Sequence, residues 1–228
     1  YNINKIGKPV DKTEWGMTPQ TVNAYYNPSR NEIVFPAAIL QPPFFFPEAD
    51  DAVNYGAIGM VISHEMTHGF DDQGKNYDKN GNLTNWWTNE DAEKFKERTQ
   101  VLVDHFDKFI IKDDIRADGK LTLGENIADL GGLNVAYTGL MKSWEKFPPA
   151  KEINGFSPSQ RFFLAYAHVW ANNINEAEML RRTKEDVHSL GHLRVNGPLQ
   201  HMQQFVEAFH IEPGDPLYLS PENRASIW

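Results

Sequence analysis

Ala57-Ile58-Gly59-Met60-Val61-Ile62-Ser63-His64-Glu65-Met66-Thr67-His68-Gly69 is the stretch on which the reading of this chain turns. Its apolar first half reads as a helix. Residues four apart lie on one helix face, so His64 and His68 point the same way. Two imidazoles on one face can hold Zn²⁺, and Glu65 beside them can reach a water there. The chemistry this suits is metal-assisted attack of water on a peptide bond. The competing reading is an exposed helix with an incidental His pair. Against it, Met60, His64 and His68 follow at four-residue steps with Val61 close by, a stripe apolar at one end and metal-binding at the other. Gly69 sits where a helix C-cap is expected.

A catalytic zinc takes three protein ligands and keeps one position open. The third is sought in Gly124-Glu125-Asn126-Ile127-Ala128-Asp129. Glu125 and Asp129 are also four apart, so a helix would present both carboxylates on one face. Glu125 would ligate, and Asp129 would accept the free N–H of a ligating imidazole. A second reading stays open on spacing alone: Thr122-x-x-Glu125 is a capping-box pattern, which makes Glu125 merely a helix-start residue.

These segments together resemble the neprilysin family of zinc endopeptidases, which includes endothelin-converting enzymes and bacterial oligopeptidases. The resemblance rests on His64 to Asp72 followed by Gly124 to Asp129. It extends to Asn23-Ala24-Tyr25-Tyr26, Asn31 to Ala37, Gln41 to Phe45, Asp186-Val187-His188-Ser189, Arg194 and the final Trp228. It implies a mainly helical α+β, thermolysin-like zincin catalytic domain, with a small strand element at the active site. It implies one Zn²⁺ per chain held by His64, His68 and Glu125, with Glu65 as general base. Asp129 would orient His64, and Asp71 would do the same for His68. His188 would donate to the oxyanion, held by Asp186, and Arg194 would grip a substrate carbonyl. Asn23 and Ala24 would bind an extended substrate as an added strand. Ile39, Phe44, Met60, Val61, Val169 and Trp170 would line a pocket favouring a large apolar residue just after the scissile bond. Taken alone, Asp186 and His188 read as an ordinary surface pair and Arg194 as a solvated charge.

The chain has 228 residues, with 22 basic against 31 acidic and a net charge of −9, which disfavours nucleic acid and anionic membrane as partners. No run of 18 apolar residues marks a transmembrane helix, and no signal peptide is visible. Zero Cys excludes disulfides and fits a bacterial, cytoplasmic member better than an extracellular one. Tyr1 is not an initiator Met, and family members are much longer, with a helical N-terminal portion roofing a chamber. Residues 1–228 are therefore expected to be the C-terminal catalytic part, with oligopeptides and the missing N-terminal portion as partners.

Along the chain, Asn31 to Phe35 reads as a strand and residues 51–69 as the metal helix. Asp78 to Asn82 reads as an Asn-Gly turn rather than a calcium loop. Thr88 or Asn89 caps a helix through Phe109, and another runs from Thr122 to about Lys146. Gly131-Gly132 inside the latter suggests close approach of another backbone. Ser157-Pro158 opens a helix to about Leu180, and Pro198 opens a final one through Phe209, broken by Gly214-Asp215-Pro216. His105, His168, His192, His201 and His210 follow no ligand spacing. Two other functions remain: a non-catalytic zinc-binding interaction domain, which the presence of Glu65 opposes, and a zincin exopeptidase, which needs a terminus-capturing group that only Arg194 suggests.

Overall fold

The structure, a computed structural model, describes residues 2–227; Tyr1 and Trp228 lie outside them. It is mainly helical, with two short antiparallel hairpins. The first joins β1 (Tyr25–Asn27) to β2 (Glu32–Val34), with Tyr25 opposite Val34. Asn31 turns the chain with φ 49°, a left-handed conformation that Asn tolerates.

The metal helix is made of pieces. α1 (Asp51–Asn54) starts at Asp50, whose carboxylate accepts the Ala52 N–H at 3.0 Å. A π-helical turn, Tyr55–Gly59, leads into α2 (Met60–Thr67). The turn falls where another backbone presses close: a Cβ on Gly56 would lie 2.1 Å from the Phe162 carbonyl oxygen. The expected Gly69 cap does not form. His68–Phe70 tighten into a 3₁₀ turn, and Asp71 ends the helix with ψ −173°. Its carboxylate takes the N–H groups of Gln73 at 2.8 Å and Gly74 at 2.6 Å, supplying the stop that a left-handed glycine would have made.

α3 (Asn89–Phe106) begins with a capping box between Thr88 and Asp91. It stops short of Phe109, because Asp107 turns to accept the Gly119 N–H at 2.7 Å. The chain then forms an unanticipated hairpin, β3 (Ile110–Lys112) with β4 (Ile115–Arg116), around Asp113 at φ 49°. α4 (Leu123–Trp144) is buried without interruption from Asn126 to Leu133. A helix buried all round belongs at the centre of a fold, and α4 packs there against α2.

The expected helix from Pro158 to Leu180 is two helices. α5 (Pro158–Val169) carries a Ser157–Gln160 capping box. The chain leaves it at Trp170, and α6 (Glu176–Glu185) restarts on Asn175, whose side chain accepts the Glu178 N–H at 2.9 Å. α7 (Gly191–Leu199) and α8 (Gln203–Phe209) follow. Pro198 therefore opens no helix; it sits in the last turn of α7. Having no N–H, it leaves the Arg194 carbonyl without its helical donor, and the Tyr166 hydroxyl donates to that carbonyl instead. α8 ends at His210, left-handed at φ 53°, before the Gly214-Asp215-Pro216 break.

The main core gathers Phe106, Ile127, Leu133, Leu140, Phe162 and Tyr166. A smaller one, Ala24, Ile39, Ile58 and Val61, ties β1 to the metal helix. Gly81, at φ 82°, makes the Asp78–Asn82 turn. Among the described residues no helix is long and apolar enough to cross a membrane.

His105 and His201 face each other in the main core, ring centroids 4.7 Å apart, each with a buried Nε2 lacking a hydrogen-bond partner. Burial pushes both imidazoles down, His105 to about 4 and His201 to about 3, with Lys108, Arg224 and their mutual proximity acting the same way. In the unfolded chain each titrates near about 6.5. Below that pH the unfolded state binds more protons, so stability falls as pH drops from about 6.5 toward 4, and the pair contributes no slope above 7. Thermal melts of metal-free protein should lose several degrees between pH 7 and 5. His105→Phe should flatten that loss; an unchanged slope would remove the pair as its cause.

Candidate metal centre and cleft

His64, Glu65 and His68 project from the metal helix toward Glu125 and Asp129 on α4. Two helices can approach this closely because of Gly132. A Cβ there would lie 2.8 Å from His64 N and 2.9 Å from His64 Cα. Gly124 serves the same junction, since a Cβ on it would meet Asp72 Oδ1 at 2.8 Å.

His64 Nε2 and His68 Nε2 stand 3.0 Å apart. Glu125 Oε2 is 3.4 Å from the first and Oε1 is 3.5 Å from the second. Ligands at zinc's usual distance in a tetrahedron are separated by roughly 3.3–3.4 Å. The donor set and its spacing thus fit a zinc ion, and this is the one group of three among the described residues whose ligand atoms converge so. Thr122 does not cap α4 with its side chain. Its hydroxyl donates to the Asp118 carbonyl at 2.9 Å. The capping-box reading of Glu125 is thereby replaced by its place among the two imidazoles.

The outer contacts are equally specific. Asp71 Oδ2 lies 2.7 Å from His68 Nδ1, and Asp129 Oδ1 lies 2.9 Å from His64 Nδ1. The second contact is close but poorly aligned for a hydrogen bond. Burial alone would push His64 down, but Asp129 and Glu125 more than offset it and raise the imidazole to about 9. Burial would raise Glu125, yet His64, Arg194 and His68 hold it well below the usual carboxylate range. Glu65 goes the other way: burial raises its carboxyl above the ordinary value. It is 6% exposed, lines the cleft, and has no hydrogen-bond or ion-pair partner among the described residues.

Arg194 is not a solvated charge. Nε and Nη2 grip Asp129 at 2.8 and 2.6 Å, Nη2 also reaches Glu125 at 3.3 Å, and the guanidinium lies 3.9 Å from the Trp170 ring centroid. Asp129 is fully buried, and a carboxylate there requires such a partner. His188 Nε2 comes within 3.3 Å of Glu125 Oε1. Its Nδ1 is 2.7 Å from Asp186 Oδ1, so this surface pair also belongs to the cluster.

A cleft of about 600 Å³ opens over these groups. Its wall includes Asn23, Ala24, Ile39, Phe44, Met60, Val61, Trp170, His188 and Arg194. Val169, expected on the wall, is not there; α5 ends with it and Trp170 takes the cleft position. Tyr26 and Tyr77 do line the cleft and had no recognisable signal beyond Tyr26's place in the Asn23 to Tyr26 motif.

A helix carrying His-Glu-x-x-His, a Glu ligand from a second helix and an edge strand over the cleft define the zinc metalloprotease class. The chain belongs to peptidase family M13, whose sequence profile matches residues 23–225. It is 44% identical to an endothelin-converting enzyme homolog of Locusta migratoria, covering 100% of this chain and 31% of that protein. It is 43% identical to human neprilysin, covering 99% and 30%. The zinc metalloprotease Zmp1 of Mycobacterium tuberculosis superposes with a TM-score of 0.95 at 47% identity, covering 99% of this chain and 35% of that one. PepO of Lactobacillus rhamnosis gives 0.87 at 36% identity, covering 98% and 34%. The chain thus spans about a third of the length of the relatives it matches.

Proposed function

We propose that this chain is the catalytic portion of a zinc endopeptidase that cuts internal bonds of oligopeptides. The observation that carries the reading is the convergence of two imidazole nitrogens, 3.0 Å apart, on the Glu125 carboxylate, whose two oxygens lie 3.4 and 3.5 Å from them, beside an uncommitted Glu65. Zinc in that site would supply a Lewis acid for the scissile carbonyl and for the attacking water. His64, His68 and Glu125 would hold the ion, with Asp71 hydrogen-bonded to the His68 imidazole and the Asp129 carboxylate set beside that of His64. Glu65, its pKa raised toward working pH, accepts the proton of the water and later passes it to the leaving amine. His188 Nε2, anchored through Asp186, donates where the carbonyl oxygen becomes negative. Arg194 spends two nitrogens on carboxylates, so only Nη1 is left for a substrate carbonyl.

β1 pairs with β2 on one side, and its residues also line the cleft. A substrate strand adds beside Asn23 and Ala24. Ile39, Phe44, Met60, Val61 and Trp170 receive the residue after the scissile bond, favouring a large apolar side chain. The roofing of the cleft, and with it exclusion of folded proteins, falls to the remaining two-thirds found in relatives. Peptides blocked at both ends test the reading. The zinc-loaded protein should cut them internally, and Leu or Phe after the cleaved bond should exceed Asp by at least about tenfold in kcat/KM. Cleavage only of peptides with a free terminus would make it an exopeptidase. One bound zinc with no cleavage of any peptide would make it a zinc-binding interaction domain.

A further inference from the structure

His188 sits on the bend between α6 and α7 with its side chain 43% exposed. An imidazole on an exposed bend would ordinarily sample several rotamers. Here Asp186 Oδ1 takes both the His188 backbone N–H at 2.9 Å and Nδ1 at 2.7 Å. That pins the ring only if the Asp186 carboxylate cannot rotate. Its other oxygen, Oδ2, accepts from Arg182 Nε at 2.8 Å. The neighbouring Arg181 is committed elsewhere, to Glu178 at 2.7 Å and Glu185 at 3.1 Å. Besides His188 itself, Arg182 is the one side chain paired with the Asp186 carboxylate among the described residues. It lies in the last turn of α6 and lines, with Trp170 and Leu190, a smaller cavity.

We propose that Arg182 is a positioning residue of the peptidase: it locks the Asp186 carboxylate, which aims His188 Nε2 at the ligand cluster. The proposal rests on the endopeptidase reading of the site, and adds to it a residue that touches neither substrate nor metal ligand. A partly exposed ion pair adds little to stability. The effect of Arg182 should therefore appear in turnover rather than in melting.

Four proteins test it: Arg182→Met, Arg182→Lys, Asp186→Asn and Arg182→Met with Asp186→Asn, all zinc-loaded. Arg182→Met should lower kcat by about three- to tenfold with KM within about twofold, since the interaction is realised in the transition state. Arg182→Lys should recover part of the loss. In the Asp186→Asn background, Arg182→Met should change kcat by less than about twofold, because the residue acts through the carboxylate. An equal loss in both backgrounds, or an unchanged kcat, overturns the proposal. The His188 Nδ1 proton, followed by NMR in protein with ¹⁵N-labelled histidine, decides the matter without turnover: its exchange with water should quicken in Arg182→Met. If no peptide is cleaved by the parent protein, the endopeptidase reading fails, while an unaltered Nδ1 exchange rate is what removes Arg182.

Discussion

Glu65→Gln should bind zinc as the parent protein does and cleave peptides about a thousandfold more slowly, within the 10²–10⁴ range typical of a lost general base. The carboxamide has the same shape but cannot accept the proton of the attacking water. The ligand set is untouched, because Glu65 is not among the three converging residues. Stability should hold as well. Glu65 is a buried carboxyl whose ionisation burial already disfavours, so a neutral amide in its place removes a desolvation cost rather than an ion pair. Zinc content by atomic absorption, kcat on a blocked peptide and a thermal melt measure the three quantities. Retention of more than about a tenth of the activity would assign the base elsewhere. Loss of zinc would show that Glu65 supports the ligands.

Gly132→Ala carries the second large effect. The new methyl would lie 2.8 and 2.9 Å from backbone atoms of His64 and 3.2 Å from its Cβ. Backbone in a packed helix cannot step aside, so α2 and α4 must separate. Overpacking of this kind costs about 1–3 kcal/mol. For a domain of this size that lowers Tm by roughly 6–12 °C at the upper end. Separation also moves His64 and His68 away from Glu125, so zinc affinity should fall together with Tm. Gly139→Ala on the same helix is the control. Its methyl meets only the Tyr55 ring edge, at 3.2 Å, and a ring can shift. Alanine also gains about 1 kcal/mol of helix propensity over glycine. Gly139→Ala should be neutral or stabilising. Equal losses at the two positions would refute the close-approach account of Gly132.

Residues whose partners lie within a few positions could be read from the chain. The one-face spacing of His64 and His68 and the Ser157-Pro158 start depend on local geometry; the glycine pair signalled a close approach but not its partner, His64 on another helix. The match of Glu125 was less secure, since Thr122-x-x-Glu125 has the same spacing as a helix cap. The structure removes the cap reading, since the Thr122 hydroxyl turns back to Asp118, and α2 lies across α4 with its imidazoles beside Glu125. Pro198 was misread for a related reason. Proline suits the first turn of a helix, but also a late turn where another donor serves the abandoned carbonyl. Here that donor is Tyr166, on a different helix. The break after Val169 carries no Pro or Gly to announce it. It falls at Trp170, whose ring lies against Arg194, a contact between distant positions. Arg194 itself looked like a surface charge because its two carboxylates are contributed from α4.

The ligand atoms are set in place by packing. His64 is 6% exposed, Asp129 behind it is fully buried, and Gly132 fixes the spacing of the two helices. A metal arriving at such a site has little ordering entropy to overcome, so its intrinsic affinity is expressed almost undiminished. An ion held by His64, His68 and Glu125 would tie α2 to α4, and any opening that parts these helices would first have to surrender it. Zinc would therefore act as a clasp whose strength grows with the logarithm of its free concentration. The proteolytic resistance of this chain would then be a readout of metal supply, even where no substrate is present.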